Sequence, residues 1–298
     1  MRLRKPVRDE LMTTRAPDRS RDPRIEDPTN LWIIHPLGRS LLPWFLSRGI
    51  SANAVSVGGL SLGALAALSY SNWHRWPFAC IGLLLSIGWL VADGLDGMIA
   101  RATSTASPVG RFLDGLCDHG VFVLIYIALA ASIGTFDAWI LGASAGLLHA
   151  LQSDLYESER ARFHRRCLGV TRTAPAGGNW LVRIYDRVGQ LIDKVGPRFD
   201  EILKGDADPR KLGGAYGARA AKPLRLMSLL SANVRVYAIF LACMARDPSL
   251  FWWFELLPLT VILVIGLIWH RRIQSGLIRN MGLLTTSFAD SPPTHSRT

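Results

Sequence analysis

The sequence predicts an all-α integral membrane protein with six transmembrane helices and amphipathic helices lying at the membrane surface. Apolar residues make up 49% of the 298 residues. They fall into blocks of roughly 20, about the length that a helix needs to cross a bilayer, whereas a soluble protein would scatter them at helix or strand period. The net charge is +11, and the cations collect on one set of loops between the apolar blocks. This distribution is typical of the cytoplasmic side of a membrane protein and argues against nucleic-acid binding.

The amino-terminal residues are too polar to cross a membrane. Residues 1–30 are charged and turn-rich, which predicts a disordered basic cytoplasmic tail. From residue 31 to residue 46 a short stretch sets Trp32, Ile33 and other apolar side chains against Arg39 and Arg48. Its length and its two faces predict a helix in the headgroup region.

Six apolar segments are long enough to span the bilayer. They are residues 52–70, 77–99, 111–133, 138–156, 226–244 and 250–269. We assign residues 31–272 to one membrane domain and residues 273–298 to a cytoplasmic carboxyl-terminal tail.

The loop charges predict the orientation. Arginines crowd the segments before the first span, after the fourth and after the sixth, whereas the short loops on the other side hold only Arg75 and Arg246. By the positive-inside rule, both termini are expected to face the cytoplasm. The membrane is expected to be the inner or plasma membrane of the cell.

A long polar segment, residues 160–222, separates the fourth span from the fifth. Within it, residues 180–195 carry apolar side chains at helical spacing against basic ones. This pattern predicts a second interfacial helix on an anionic leaflet, or a helical hairpin packed on its own loop.

Four carboxylates lie where the second span ends and the third begins. Asp93 and Asp96 are three residues apart, and Asp114 and Asp118 are four apart, so each pair shares one face of its helix. Carboxylates at membrane depth are costly, and four together repel one another. A divalent cation removes both costs.

Oxygen ligands without cysteine or histidine favour Mg²⁺, Mn²⁺ or Ca²⁺ over zinc. This number of carboxylates suggests two ions, as in phosphoryl-transfer enzymes. The alternative is a divalent-cation transporter, because carboxylates also mark ion pathways. Transport sites tend to lie near the midplane of the membrane, whereas these carboxylates lie at its predicted cytoplasmic edge.

The spacing of these residues resembles the signature of the CDP-alcohol phosphotransferases. The matching positions are Asp93-x2-Asp96-Gly97-x2-Ala100-Arg101-x8-Gly110-x3-Asp114-x3-Asp118. The six-span layout and the preceding interfacial helix also match. A weaker likeness covers Ile50 to Ser56, where Ala52 and Ser56 replace the family's proline and threonine.

The resemblance implies a site, a reaction and an assembly. All four aspartates would ligate two divalent cations, Mg²⁺ or Mn²⁺, and Asp118 would also take the proton from the acceptor hydroxyl. The alkoxide would attack the β-phosphorus of the CDP-linked donor and CMP would leave, in a protein that forms a homodimer. The cytidine diphosphate pocket would be lined by Asp93, Gly97, Ala100, Arg101 and Gly110.

Two pairs of substrates are compatible with the resemblance. The first is transfer of a phosphatidyl group from CDP-diacylglycerol to a polar alcohol such as glycerol phosphate or inositol phosphate, in phospholipid biosynthesis. The second is transfer of a phospho-headgroup from a CDP-aminoalcohol to a lipid alcohol. A catalytically silent scaffold ranks last because all four carboxylates are present.

Three arginines are candidates for contacts to substrate phosphate. Arg160 and Arg162 follow the fourth span and Arg235 lies within the fifth, where an arginine usually faces the interior of a bundle. Alternatively, Arg160 and Arg162 only enforce topology or pair with nearby glutamates. Glu255 in the sixth span is a candidate partner for Arg235.

Overall fold

The computed structural model describes residues 22–105, 108–170, 196–206 and 208–289, with the side chains of 108, 109, 111–114, 196, 197 and 281–289 left out. The fold of the described residues is all-helical, as predicted. The helices are α1 (His35–Arg48), α2 (Ala52–Tyr70), α3 (Trp76–Ala102), α4 (Pro108–Ile133), α5 (Phe136–Cys167), α6 (Gly196–Gly205), α7 (Pro209–Met227), α8 (Ala232–Met244), α9 (Ser249–Phe254) and α10 (Thr260–Ala289). Short π-helical turns cover Asn30–Ile34 and Glu255–Leu259, and a 3₁₀ turn covers Ser228–Leu230.

The chain divides into two compact units. The first comprises the described residues up to Asp154 together with Ser228–Leu263. The second comprises Leu155–Met227 and the described residues from Val264 onward. Each unit has its own buried polar network, centred on Arg235 in the first and on Glu159 in the second.

Several helices are apolar enough to make this an integral membrane protein. Four segments of the described chain meet the length and hydropathy of a span: Ala52–Tyr70, Trp76–Ala102, Gly115–Ile133 and Ser249–Asn280. A fifth is added if the helices on either side of Ser231 act as one span. The predicted count of six is not confirmed. The predicted fourth span is interrupted by the polar residues His149 and Gln152, and helix α8 has only 13 residues.

Helix α2 organises the first unit by packing against two other helices. Small residues dominate it, which lets neighbouring backbones approach closely. A Cβ atom added to Gly59 would lie 3.2 Å from the Ala92 Cβ of α3, and one added to Gly63 would overlap the Val121 side chain of α4. At the far end of this interface, the Trp73 indole Nε1 donates a hydrogen bond to Ser132 Oγ at 3.0 Å.

The segment before α1 is folded against the first unit, at least from residue 22. This differs from the disordered tail that we predicted for residues 1–30; residues 1–21 lie outside the described part. Ile25 is buried, and the buried Asp27 carboxylate accepts hydrogen bonds from Ser231 Oγ and Asn233 Nδ2 at 3.2 and 3.0 Å. Residues 22–30 are folded although they are polar, because distant residues compensate the buried charge of Asp27. No local sequence pattern reveals such a partner.

Helix α1 and the turn before it have the exposure expected of an interfacial segment. The Trp32 side chain is 80% exposed, and Leu37, Leu41 and Trp44 are also exposed, whereas Leu42 packs against the fold. Exposed aromatic and aliphatic side chains on a short helix are typical of the membrane headgroup boundary.

The second unit contains most of the segment predicted as a long cytoplasmic loop. Helix α5 continues to Cys167, and α6 and α7 follow from Gly196. The predicted interfacial helix at 180–195 lies outside the described residues. In the predicted tail at 273–298, α10 continues to Ala289, since apolar residues keep recurring at helical spacing with no proline before the helix ends.

Candidate active site

The candidate site is built on the facing ends of α3 and α4, in the first unit. Asp93 and Asp96 lie in the last turns of α3, and Asp114 and Asp118 lie in the first turns of α4. Asp96 is only 5% exposed, whereas Asp93 and Asp118 are partly exposed. The side chain of Asp114 is outside the described residues.

Helix α2 shows that α3 and α4 run in opposite directions. Along α2, Gly59 faces Ala92 and Leu62 faces Gly88 of α3, so the two helices are antiparallel. A Cβ atom added to Gly120 of α4 would lie 3.5 Å from Leu60 of α2, and Trp73, just beyond the end of α2, donates to Ser132 near the end of α4. Helices α2 and α4 are therefore parallel, and α3 and α4 are antiparallel.

An aromatic contact sets the level at which the carboxylates meet. The ring centroids of Trp89 on α3 and Phe122 on α4 lie 5.3 Å apart, edge to face. Asp93 comes one helical turn after Trp89 and Asp118 one turn before Phe122. Because the helices are antiparallel, both steps lead in the same direction, by about 6 Å along the axis. Asp93 and Asp118 therefore lie at the same height along the helix axes, on the faces of α3 and α4 that face each other.

A serine on α2 supports the buried carboxylate. Ser56 Oγ is hydrogen-bonded to Asp96 Oδ2, and the Ala52 carbonyl oxygen, 3.2 Å away, competes for the same hydroxyl hydrogen. Ser56 itself is buried. It lies in the segment 50–56, whose likeness to the family is weak. Its contact joins residues 40 positions apart, which no sequence pattern could specify.

The glycine and arginine that follow Asp96 lie side by side. A Cβ atom added to Gly97 would be 3.3 Å from Arg101 Nη1, so the guanidinium folds back over the glycine one turn earlier. Arg101 is exposed, and Ala100 and Gly110 are partly exposed. These four residues occupy the ends of α3 and α4 that lead into residues 103–107.

The donor chemistry of the aspartates fits a hard divalent cation, because each ligand atom is a carboxylate oxygen. Among the described side chains, no group of three or more histidine, cysteine, aspartate or glutamate residues is positioned to hold a metal ion. The described side chains include those of Asp93, Asp96 and Asp118 but not that of Asp114.

Arg235 forms the centre of a second polar cluster in the first unit. Its guanidinium donates to the Glu255 carboxylate at 2.9–3.1 Å, to Gln152 Oε1 at 2.9 Å and to Ser153 Oγ at 3.2 Å. The Leu230 carbonyl accepts from Nη1. The exposed fraction is 1% for Arg235 and 0% for Glu255.

This cluster confirms Glu255 as the partner of Arg235. A guanidinium has five N–H groups, and the acceptors above account for all five. A substrate phosphate would therefore have to displace one of them. Sequence reasoning missed Gln152 and Ser153, whose only signal is a polar break in an otherwise apolar segment.

Arg160 and Arg162 belong to the second unit and have acidic partners there. Arg160 pairs with Glu157 at 3.0 Å, and Arg162 pairs with Glu159 at 2.8 Å. This is the alternative role that the sequence suggested for both arginines. A role in binding substrate phosphate stays a prediction.

Glu159 is the buried member of this group. Its other carboxylate oxygen lies 2.8 Å from His270 Nδ1, and His270 Nε2 lies 2.7 Å from the Tyr216 hydroxyl. Burial would raise the pKa of the Glu159 carboxyl, but the hydrogen bond with His270 and the charge of Arg162 outweigh it and lower that pKa to about 2. Glu159 is thus held in its charged form.

Ionisable residues at membrane depth mark candidate functional sites, and an arginine beside them is a common partner of phosphate groups. Residues 50–152 match the model of the CDP-alcohol phosphatidyltransferase family. The likeness to that family therefore rests on this part of the chain. The matched range contains α2, α3, α4 and all eight signature residues.

The chain is also similar to curated relatives over part of its length. It is 32% identical over 123 residues to Cholinephosphotransferase 1 of Gallus gallus, covering 35% of this chain and 37% of that protein. It is 27% identical over 114 residues to Cholinephosphotransferase 1 of Homo sapiens, covering 35% of this chain and 28% of that protein. The Bos taurus protein of the same name gives the same identity and coverage as the human one. The match thus spans about a third of the length of these relatives.

Proposed function

We propose that this protein transfers a phosphate-linked group from a CDP-alcohol to the hydroxyl of a second alcohol and releases CMP. The observation that carries the proposal is the shared level of Asp93 and Asp118 on antiparallel helices inside the family domain. A transferase site needs carboxylates converging from two helices around one diphosphate, and this register supports that arrangement.

The proposed roles follow the signature. Asp93, Asp96, Asp114 and Asp118 would hold two divalent cations, Mg²⁺ or Mn²⁺. When bound, the ions would offset the negative charge of the diphosphate and of the departing CMP. Arg101, folded over Gly97, would lie against the diphosphate, with Ala100 and Gly110 leaving room for the nucleotide.

Asp118 acts on the acceptor in this proposal. Its carboxylate takes the proton of the acceptor hydroxyl, and the hydroxyl oxygen forms a bond to the β-phosphorus of the donor. The bond from that phosphorus to the bridging oxygen breaks, and CMP leaves with the electron pair. Ser56 is a positioning residue, because its hydrogen bond fixes the rotamer of Asp96 rather than touching a substrate.

We assign the lipid first to the donor, as CDP-diacylglycerol, with a polar alcohol as acceptor. The relatives favour a second candidate: they are named as cholinephosphotransferases, which supports a CDP-aminoalcohol as donor and a lipid alcohol as acceptor. Both candidates use the same carboxylates and release the same nucleotide, so they differ only in which partner carries the acyl chains.

The test is CMP release by purified protein in lipid vesicles with Mg²⁺ or Mn²⁺. One series supplies CDP-diacylglycerol with a panel of polar alcohols, and the other supplies CDP-choline or CDP-ethanolamine with diacylglycerol. Asp118→Asn should reduce the rate by at least about 100-fold, the usual contribution of a general base. The matched control is Asp137→Asn, an exposed aspartate at the start of α5, which should leave the rate unchanged.

The series that releases CMP identifies the lipid partner. Release in neither series, together with divalent-cation flux across the vesicle membrane, would reject the transferase in favour of a transporter. Equal rates for Asp118→Asn and the unmodified protein would reject the role of Asp118.

A further inference from the structure

Helix α10 carries a group of arginines just beyond its apolar part. Arg271, Arg272 and Arg279 lie in a stretch, 270–289, that contains no acidic residue. Within the described residues none of the three forms an ion pair, in contrast to Arg160, Arg162 and Arg166 of the same unit.

These arginines share one face of the helix and line a depression of about 460 Å³. The other lining residues, Ile268, Ser275 and Gly276, recur at the same helical spacing. A Cβ atom added to Gly276 would have no neighbour within 4 Å, so the middle of the depression is open. The opposite face of α10 is buried through His270, Gln274 and Leu277, so the arginine face points away from the packed interior of the second unit.

The depth of this depression follows from the length of the span. The predicted span, residues 250–269, has about the number of residues that a helix needs to cross the hydrocarbon, and it ends at Trp269. Trp269 is exposed, as expected of a tryptophan at the membrane interface. Arg271 and Arg272 follow within one turn and therefore lie in the headgroup layer, which extends about 5–7 Å beyond the hydrocarbon. Arg279 is farther along, but helical side chains tilt toward the amino terminus, so its guanidinium leans back toward the membrane.

We propose that the depression lined by Arg271, Arg272, Ser275 and Arg279 binds the phosphate-bearing headgroup of an anionic phospholipid. Planar guanidinium groups bind phosphate oxygens through paired hydrogen bonds, and the Ser275 hydroxyl adds a further donor. Ile268, at the membrane end of the depression, contacts the first methylene groups of the lipid. A zwitterionic lipid is disfavoured because its terminal ammonium group would meet three arginines.

Helix α7 gives independent support for an anionic surface beside the second unit. Its residues 209–227 include five basic side chains and no acidic one. Lys211, Arg219, Lys222 and Arg225 are exposed, while the helix packs through Tyr216 and other apolar residues on its opposite side. Clustered basic residues next to a span attract the anionic lipids of a leaflet.

The test measures lipid selectivity directly and needs no catalytic turnover, so it is independent of the proposed function. The full-length protein is reconstituted in phosphatidylcholine vesicles with trace spin-labelled phosphatidylglycerol or spin-labelled phosphatidylcholine. The association constant of each labelled lipid is read from the motionally restricted spectral component at physiological salt. We expect a preference for phosphatidylglycerol that falls about fivefold or more in the R271Q/R272Q variant, since one arginine at the surface contributes roughly a fivefold change in association.

The matched control is R75Q/R246Q, which removes two exposed arginines from the short loops between spans and should keep the preference. An equal loss in this control, or an unchanged preference in R271Q/R272Q, would overturn the proposal. If R271Q/R272Q does not fold, Arg272→Gln alone, at an exposed position, should give a partial loss, and no loss there would also overturn it. A further arm adds inorganic phosphate at constant ionic strength, and displacement of the labelled lipid would assign the depression to free phosphate instead.

Discussion

Removing the Glu255 carboxylate should destabilise the first unit more than any surface substitution. In Glu255→Ala, the Arg235 Nε–H and one Nη2–H lose their acceptor while the guanidinium stays 1% exposed. Removing one partner of a buried ion pair costs about 3–5 kcal/mol, because the remaining charge is left uncompensated. This cost corresponds to about a 100- to 4,000-fold shift of the unfolding equilibrium.

The assay follows thiol exposure during unfolding in mixed detergent micelles with increasing dodecyl sulfate. Cys117 and Cys243 are buried thiols that form no disulfide, so they should react with a fluorescent maleimide only when the fold opens. Substituting Cys80 and Cys167 with serine removes the two partly exposed thiols from the signal. The unfolding midpoint of each variant is compared in this background.

Two controls test the cause. Glu157→Ala breaks an exposed pair with Arg160 and should change stability by less than about 1 kcal/mol. The double variant Arg235→Met/Glu255→Leu removes both buried charges and should be much less damaging than Glu255→Ala alone. A Glu255→Ala midpoint as close to the unmodified protein as that of Glu157→Ala would refute the argument that Arg235 needs its partner.

Three further predictions concern single contacts. Ser56→Ala frees the rotamer of Asp96 and should raise the Mg²⁺ concentration needed for half-maximal CMP release by about 10-fold or more. Gly63→Ala forces a methyl group onto a stiff β-branched side chain of α4 and should lower the unfolding midpoint by the equivalent of about 1–3 kcal/mol. Glu159→Gln should reduce acid sensitivity: the Glu159 pKa is lowered to about 2 in the folded protein from 4.5, so its charge stabilises the fold above pH 4.5 and that stability is lost as the pH falls toward 2.

Each of these changes has a neighbouring control. Ser61→Ala removes an exposed hydroxyl that bonds only to its own helix, and Gly58→Ala adds a methyl group where nothing lies within 4 Å. Glu201→Gln removes an exposed carboxylate from α6. An unshifted Mg²⁺ requirement in Ser56→Ala would contradict the positioning role. Equal unfolding midpoints for Gly63→Ala and Gly58→Ala would contradict the packing argument. Equal dependence of stability on pH for Glu159→Gln and Glu201→Gln would contradict the ionic argument.

The sequence predicts the helices around the site closely. The predicted first span, 52–70, coincides with α2, and the predicted third, 111–133, ends where α4 ends. Long apolar runs with glycine and charged residues at their ends leave little choice of boundary. The carboxylate pairs could be assigned for the same reason, because spacing along one helix fixes their shared face.

Other features depend on contacts between distant residues. His149 and Gln152 lower the hydropathy of the predicted fourth span, yet both are buried, and Gln152 donates to the Glu255 carbonyl at 3.0 Å. Asp27 looks like part of a solvated tail until Asn233, more than 200 residues later, supplies its partner. A polar residue in the sequence carries no mark of whether the fold will provide a compensating group, so these positions are assigned from the structure alone.

The packing of α2 has a consequence for how this site can change in evolution. The spacing of the two carboxylate helices is held by a third helix that contributes mainly small residues to the interface, Gly59 toward Ala92 and Gly63 toward Val121. A larger side chain on α2 must be matched by a smaller one on the facing helix if the aspartates are to stay at the same height along the helix axes. Gly63 and Val121 therefore form a compensating pair, and Val121→Ala should restore a chain that carries Gly63→Ala. The geometry of the proposed metal site is thus inherited through side-chain volumes on a helix that bears no acidic residue.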